Sequence, residues 1–214
     1  MLVECLQKTP PLRRVVRWAG GVRAEELVNR FIPFIGKGNS VLDIGCGTGN
    51  VCECLRNRGL KVTPLDVRNL SFVDDLSPVL YDGRSMPFPD VAFDVGLLIT
   101  VLHHTPDPLA VLKEAARVCR RLVIIEDIFE SAPQKYLTFV MDSLLNLEFS
   151  GHPHSNKSDR GWRDAFAALG LTVVHATYNR SVLVFRHATY VLDHDSEESG
   201  PHDDALIAAG GVDE

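Results

Sequence analysis

Residues 41–50 read VLDIGCGTGN: an acid inside an apolar run, then Gly45, Gly47 and Gly49 at alternating positions, then a polar helix start. Glycines at this spacing let the backbone turn sharply and approach a ligand, and N–H groups at a helix start attract an anionic group. Two more acids stand at comparable places. Asp66 closes the next apolar run, and Asp82 with Gly83 forms a turn-like pair. A carboxylate accepts two hydrogen bonds from a diol, so such acids suit a sugar. Four histidines offer proton chemistry: His103 and His104 after an apolar run, and His152 and His154 in the loop SGHPHSNKSDRGW. A near-neutral side chain suits proton removal, and His152 and His154 are the candidate general bases, ahead of the His103 pair. The two histidines of HPH lack further clear ligands, so no metal site is expected.

A dinucleotide loop requires G-x-G-x-x-G, and Asn50 stands where its third glycine belongs. The residues instead resemble the D-x-G-x-G-x-G loop of class I S-adenosylmethionine (SAM) dependent methyltransferases of the type 11 group, here Asp43, Gly45, Gly47 and Gly49. The likeness continues into YDGRSMPFPDVAFDVGLLITVLHH, which is similar to that family's third and fourth strands. It implies that Asp66 grips both ribose hydroxyls, that Asp82 and Gly83 meet the adenine, and that Thr100 and His103 lie beneath the methionine part. The implied cofactor set is Asp43, Gly45, Cys46, Gly47, Gly49, Asp66, Val67, Asp82, Gly83, Thr100 and His103.

The implied activity is transfer of the SAM methyl group to a small-molecule acceptor by in-line displacement. The sulfonium methyl is already activated, so the protein must mainly align the acceptor and exclude water. A metal-assisted route would need an acid within residues 100–105, and there is none. Two other readings stay open: methylation of RNA or protein, with Arg13, Arg14, Arg17 and Arg23 as a docking arm, and a SAM-binding partner protein without turnover. A nucleotide-linked oxidoreductase is disfavoured by Asn50.

The elements that must carry these residues are short β-rich runs alternating with helical patterns, the signature of a mostly parallel sheet with helices on both faces. Strands are expected over 40–44, 61–66, 79–81, 93–100 and 121–127, and helices over 24–35, 50–57, 108–119, 133–149 and 159–169. LTVVHATY and SVLVFRHATYVL then follow with Asn179 and Arg180 between them, which suits a hairpin. The fold expected is α/β, a Rossmann-like, doubly wound sheet of seven strands, mostly parallel and ending in an antiparallel β-hairpin. Residues 1–23 read as an N-terminal arm or cap, 24–192 as the catalytic domain with a substrate cover near 130–162, and 193–214 as an acidic, disordered tail.

Composition sets the outer bounds. The 214 residues carry 22 Lys and Arg against 28 Asp and Glu, a net charge of −6. Eight of the acids fall in 193–214, where there is no Lys or Arg, which leaves 20 acids against 22 bases in the body. No concentrated basic stripe marks a nucleic-acid surface. Five cysteines without a CxxC pair indicate neither a disulfide framework nor a zinc ribbon. No apolar run reaches the ~18 residues a membrane span requires, and a cytoplasmic protein is expected. Oligomeric state is not legible.

Overall fold

The computed structural model describes residues 6–129, 156–180 and 186–194. Within them, helix α1 (Pro10–Phe31) precedes strand β1 (Ser40–Ile44), helix α2 (Asn50–Asn57), β2 (Lys61–Asp66), β3 (Val79–Leu80) and β4 (Phe93–Ile99). Helix α3 (Pro108–Val118), β5 (Cys119–Ile128), α4 (Asp159–Ala167), β6 (Leu171–Arg180) and β7 (Arg186–His194) follow among the described residues. The seven strands form one sheet in the order β3-β2-β1-β4-β5-β7-β6. The first five run parallel, and β7 lies antiparallel to both β5 and β6. This is the expected seven-stranded fold.

The parallel strands are apolar almost throughout because both faces are covered. Alternate residues therefore enter different cores. Leu42, Ile44, Leu122 and Ile124 join Leu112 of α3 and Trp162 and Phe166 of α4 on one face. Val41, Val123 and Ile125 join Leu27, Val28 and Phe31 of α1 on the other. Helix starts are fixed locally. The Asp107 carboxylate accepts from Ala110 N–H, and Ser158 Oγ from Gly161 N–H, each satisfying a donor that the helix leaves unpaired.

Several boundaries differ from expectation. The first helix begins at Pro10, not Ala24, so residues 10–23 are its N-terminal half. A Cβ on Gly20 would stand 2.2 Å from Asn50 Nδ2: the glycine lets α1 approach α2. The hairpin turn is not at Asn179 and Arg180, since Asn179 pairs with His187 and Arg180 with Arg186. The last strand runs beyond residue 192. Asp193 makes a bidentate ion pair with Arg121 at 2.7 Å, and His194 Nε2 lies 3.0 Å from Cys119 O, so both belong to the sheet and not to the tail. The expected helix 133–149, the greater part of the substrate cover and the tail from 195 onward lie outside the described residues.

The strand order reverses between β1 and β4: from β1 the chain adds strands toward one edge of the sheet, and from β4 toward the other. In open α/β sheets ligands sit beyond the carboxyl ends of the strands at such a reversal. Asp43, Thr100 and Glu126 all lie there.

Candidate active site

The turn after β1 is built on three glycines with positive φ: Gly45 at 72°, Gly47 at 49° and Gly49 at 80°. Gly45 is also forced sterically, because a Cβ there would come within 2.6 Å of Val101 Cγ2. At Gly47 the same test meets only Gly45 O, at 3.9 Å, so the loop is open on that side.

The amides of this loop are not the anion cradle that the sequence suggested. Gly45 and Cys46 N–H both donate to Leu65 O, at 2.8 and 3.1 Å, Gly47 N–H donates to Asp66 Oδ2 at 2.8 Å, and Gly49 N–H to Cys46 O at 2.9 Å. Four donors that would hold a pyrophosphate are spent on the protein itself. The loop therefore suits a ligand that approaches glycine backbone closely without bringing phosphate.

Around the loop stand the three acids. Asp43, 2% exposed in β1, accepts from the Cys52 thiol of α2 at 3.0 Å. Burial, with Asp66 nearby adding repulsion, pushes its carboxyl up to about 6. Asp66 at the end of β2 accepts Gly47 N–H on one oxygen and Arg68 N–H on the other, and each oxygen keeps a second lone pair for a ligand hydroxyl. Asp82 is exposed beyond β3. Its Oδ1 accepts Arg84 and Ser85 N–H, which hold the carboxyl below the usual range, and these bonds make it a turn former as well as a site candidate. Val67 is half exposed, and a Cβ on Gly83 would touch Val67 Cγ1 at 3.4 Å, which puts Val67, Asp82 and Gly83 side by side. Asp66, Val67 and Asp82 thus line one edge, continuous with the open side of Gly47.

Beyond β4 the chain turns at Thr100, a non-glycine residue with φ of 54° whose N–H is held by Ile125 O at 2.7 Å. The short helical turn Leu102–His104 follows, with His103 buried and its ring 4.1 Å from that of His104. Glu126 of β5, fully buried, accepts Val101 N–H at 2.9 Å and Leu102 N–H at 2.7 Å, and its other oxygen lies 2.5 Å from His103 Nδ1. On the opposite face His187 Nε2 lies 2.9 Å from Asp127 Oδ1, and Arg30 of α1 reaches His187 Nδ1 at 3.1 Å. Burial alone would raise the Asp127 carboxyl; the adjoining His187 outweighs it and holds it below the usual range.

The structure thus brings together Asp43, Gly45, Cys46, Gly47, Gly49, Asp66, Val67, Asp82 and Gly83, with Thr100 and His103 at the neighbouring strand end. His152 and His154 lie outside the described residues. Cys52 reads as a packing residue in the sequence, and nothing there singles out Arg30 or His187. No spacing signal could have found His187, which meets Asp127 only through the β5–β7 register. Two clefts, of about 370 and 540 Å³, flank α1 and contain neither Asp66 nor Asp82, so they are distinct from this row. Among the described residues no group of three or more His, Cys, Asp or Glu is placed to hold a metal ion, and no helix is long and apolar enough to cross a membrane.

Comparison with known proteins matches residues 17–176 to the methyltransferase domain family. The chain belongs to that family. Fold and family place it among the class I SAM-dependent methyltransferases. It is 32% identical over 94 residues to a ubiquinone biosynthesis O-methyltransferase of Idiomarina loihiensis, covering 39% of each chain. It is 33% identical over 96 residues to the 27-O-demethylrifamycin SV methyltransferase of Amycolatopsis mediterranei, covering 39% of this chain and 35% of that one. The match thus spans about two fifths of these relatives' length. Among solved structures, a SAM-dependent methyltransferase of Methanosarcina mazei superposes with a TM-score of 0.62 at 15% identity, over 77% of this chain and 96% of that one.

Proposed function

We propose that this methyltransferase binds SAM along the row Asp43, Gly47, Asp66, Val67, Asp82 and Gly83, and methylates a hydroxyl of a small molecule beyond the ends of β4 and β5. The observation that carries the cofactor half is the glycine turn: open at Gly47, flanked by carboxylates, and with its amides already bonded internally. These residues fit SAM, which has a ribose diol and an adenine but no phosphate. Asp66 would hold the ribose and Asp82 the adenine edge, while the buried Asp43 supports the loop from below. When bound, the cofactor supplies an activated methyl group. The chain's own work is to orient the acceptor, exclude water and accept a proton.

The small-molecule half draws on the two relatives, one named as a ubiquinone biosynthesis O-methyltransferase and the other as a 27-O-demethylrifamycin SV methyltransferase. The arginine arm supports RNA or protein docking poorly. Arg13 pairs with Asp74 at 2.5 Å, and Arg17 is bonded to both Asp74 and Glu53, so two of the four cations are neutralised within the protein.

Calorimetric titration with SAM and, separately, NADH tests the reading. Micromolar SAM binding is expected, weakened in Asp66→Ala by about 1.5–3 kcal/mol, or roughly 10- to 150-fold. Preference for NADH, or SAM binding indifferent to Asp66, would refute it.

A further inference from the structure

The first half of α1 turns an apolar face to water. Leu12, Val15, Trp18 and Val22 follow at steps of three, three and four residues, which sets them in one row along the helix, and they are 46, 61, 72 and 59% exposed. Ala24, Leu27, Val28 and Phe31 of the second half hold the helix to the sheet, so the row has no part in the core. Single exposed apolar residues are ordinary, but a contiguous row marks a contact surface. The charge around it has one sign, since residues 6–23 contain five Lys and Arg and no acid. Arg13 and Arg17 are bonded to Asp74 and Glu53, while Lys8 and Arg14, both exposed, have no ion pair among the described residues. Arg23 is exposed at the far end of the row, its charge also felt by Asp127. Three cations fall well short of the roughly six to ten phosphate contacts of a nucleic-acid site. A second copy of the chain would bring the same sign of charge against them. The face fits a short apolar segment flanked by acids.

The chain carries such a segment. Asp203 and Asp204 precede the run 205–212, ALIAAGGV, Asp213 and Glu214 follow it, and residues 195–214 hold seven acids and no Lys or Arg. We propose that the row Leu12, Val15, Trp18 and Val22 is the docking surface for this chain's own acidic tail: Leu206 and Ile207 lie on the apolar row, and the acids on either side meet Lys8, Arg14 and Arg23. The dimensions agree. Leu12 to Val22 rises about 15 Å along the helix, and the run 205–212 covers up to about 24 Å. The tail leaves the sheet at His194, beside Cys119 at the start of β5, whereas the first half of α1 lies just beyond β2, where Gln7 and Arg13 donate to Ser71 O and Phe72 O. The two places are four strand positions apart, about 19 Å sideways, and about 20 Å apart along the six residues of β2. Eleven residues lead from His194 to Ala205 and reach up to about 36 Å. Tethering presents the tail to α1 at an effective concentration of roughly millimolar, so modest contacts suffice.

Acrylamide quenching of tryptophan fluorescence in the full chain tests this. The chain has two tryptophans, and Trp162 is fully buried, so quenching reads Trp18, with Trp18→Phe fixing the residual contribution of Trp162. The comparison chain has its distal tail acids neutralised by Asp203→Asn, Asp204→Asn, Asp213→Asn and Glu214→Gln. At about 0.02 M salt, where charges act over roughly 20 Å, Trp18 is expected to be quenched about twofold less in the wild type than in the neutralised chain. At about 0.5 M salt, where that range falls to roughly 4 Å, the difference should shrink. Leu206→Ser with Ile207→Ser is expected to expose Trp18, as is Arg14→Glu, and adding Asp203→Arg and Asp204→Arg to the latter should recover the protection. Docking within one chain makes the protection independent of protein concentration. Equal quenching in the wild-type and neutralised chains overturns the proposal, as does protection untouched by the Leu206 and Ile207 substitutions or by Arg14→Glu. Protection that rises with protein concentration assigns the face to a second copy instead. A blue shift of Trp18 on phosphatidylglycerol vesicles, equal in the wild-type and neutralised chains, assigns it to a lipid surface and likewise overturns the proposal.

Discussion

Asp43 shows how a single residue trades stability for a site. Its carboxyl titrates near 6 in the fold against the usual 3.8, because burial disfavours its charge. Between those values the native state holds a proton that the unfolded chain has released, so stability falls as pH rises from about 4 to 6 and is level above. The displacement from 3.8 to about 6 corresponds to a cost of about 3 kcal/mol at neutral pH. Asp43→Asn keeps an acceptor for the Cys52 thiol and removes the buried charge. Denaturant unfolding should show the variant more stable by up to about 3 kcal/mol at pH 7.5, with the gain vanishing near pH 4, while SAM affinity falls. A gain independent of pH would mean that Asp43 is not the titrating group. At this scale the sequence was readable wherever backbone chemistry forces a residue type. The three glycines and Asp66 announce themselves, because positive φ and a strand-end acid leave few alternatives. Cys52 does not, since a small apolar residue in the first turn of a helix looks the same whether or not its thiol meets a carboxylate.

Among elements, the strands were legible because burial on both faces leaves long apolar runs, as in VGLLI and LVII. The start of helix α1 was not, for a physical reason. Its first half exposes Leu12, Val15, Trp18 and Val22 while its second half buries Ala24, Leu27, Val28 and Phe31, so no single apolar face runs its length. The hairpin was legible but its turn was not, since β6 and β7 share β-branched residues up to and past Asn179. Packing between elements was invisible in the sequence, and Gly96 in β4 is the sharpest case. A Cβ there would lie 2.7 Å from Cys119 Sγ and 2.9 Å from Leu122 Cδ2, both on β5. Gly96→Ala is expected to destabilise by about 1–3 kcal/mol through overpacking. Cys119→Ala, by removing the sulfur, should recover part of that loss, and a double-mutant cycle should give a favourable coupling of about 0.5 kcal/mol or more. Strict additivity would place the strain elsewhere.

Across the whole molecule, one sheet serves two cores. Because Leu122 and Ile124 face α3 and α4 while Val123 and Ile125 face α1 and α2, neither core can open without exposing the back of the strands that close the other. The described body should therefore unfold as one cooperative unit. The two tryptophans make this testable, since Trp162 is fully buried on one side and Trp18 is 72% exposed on the other. In a Trp18→Phe background, fluorescence reports Trp162 alone. Phe31→Ala then removes a fully buried ring from the α1 side, at a cost of about 3–5 kcal/mol. The Trp162 transition, across the sheet from the substitution, should shift by that full amount and coincide with the loss of helical circular dichroism. A Trp162 midpoint that stays in place while the dichroism moves would show instead that α1 and α2 form a separable layer. In that event the acids of the site, which lie on β1, on β2 and beyond β3, would be held by the half of the molecule that opens first.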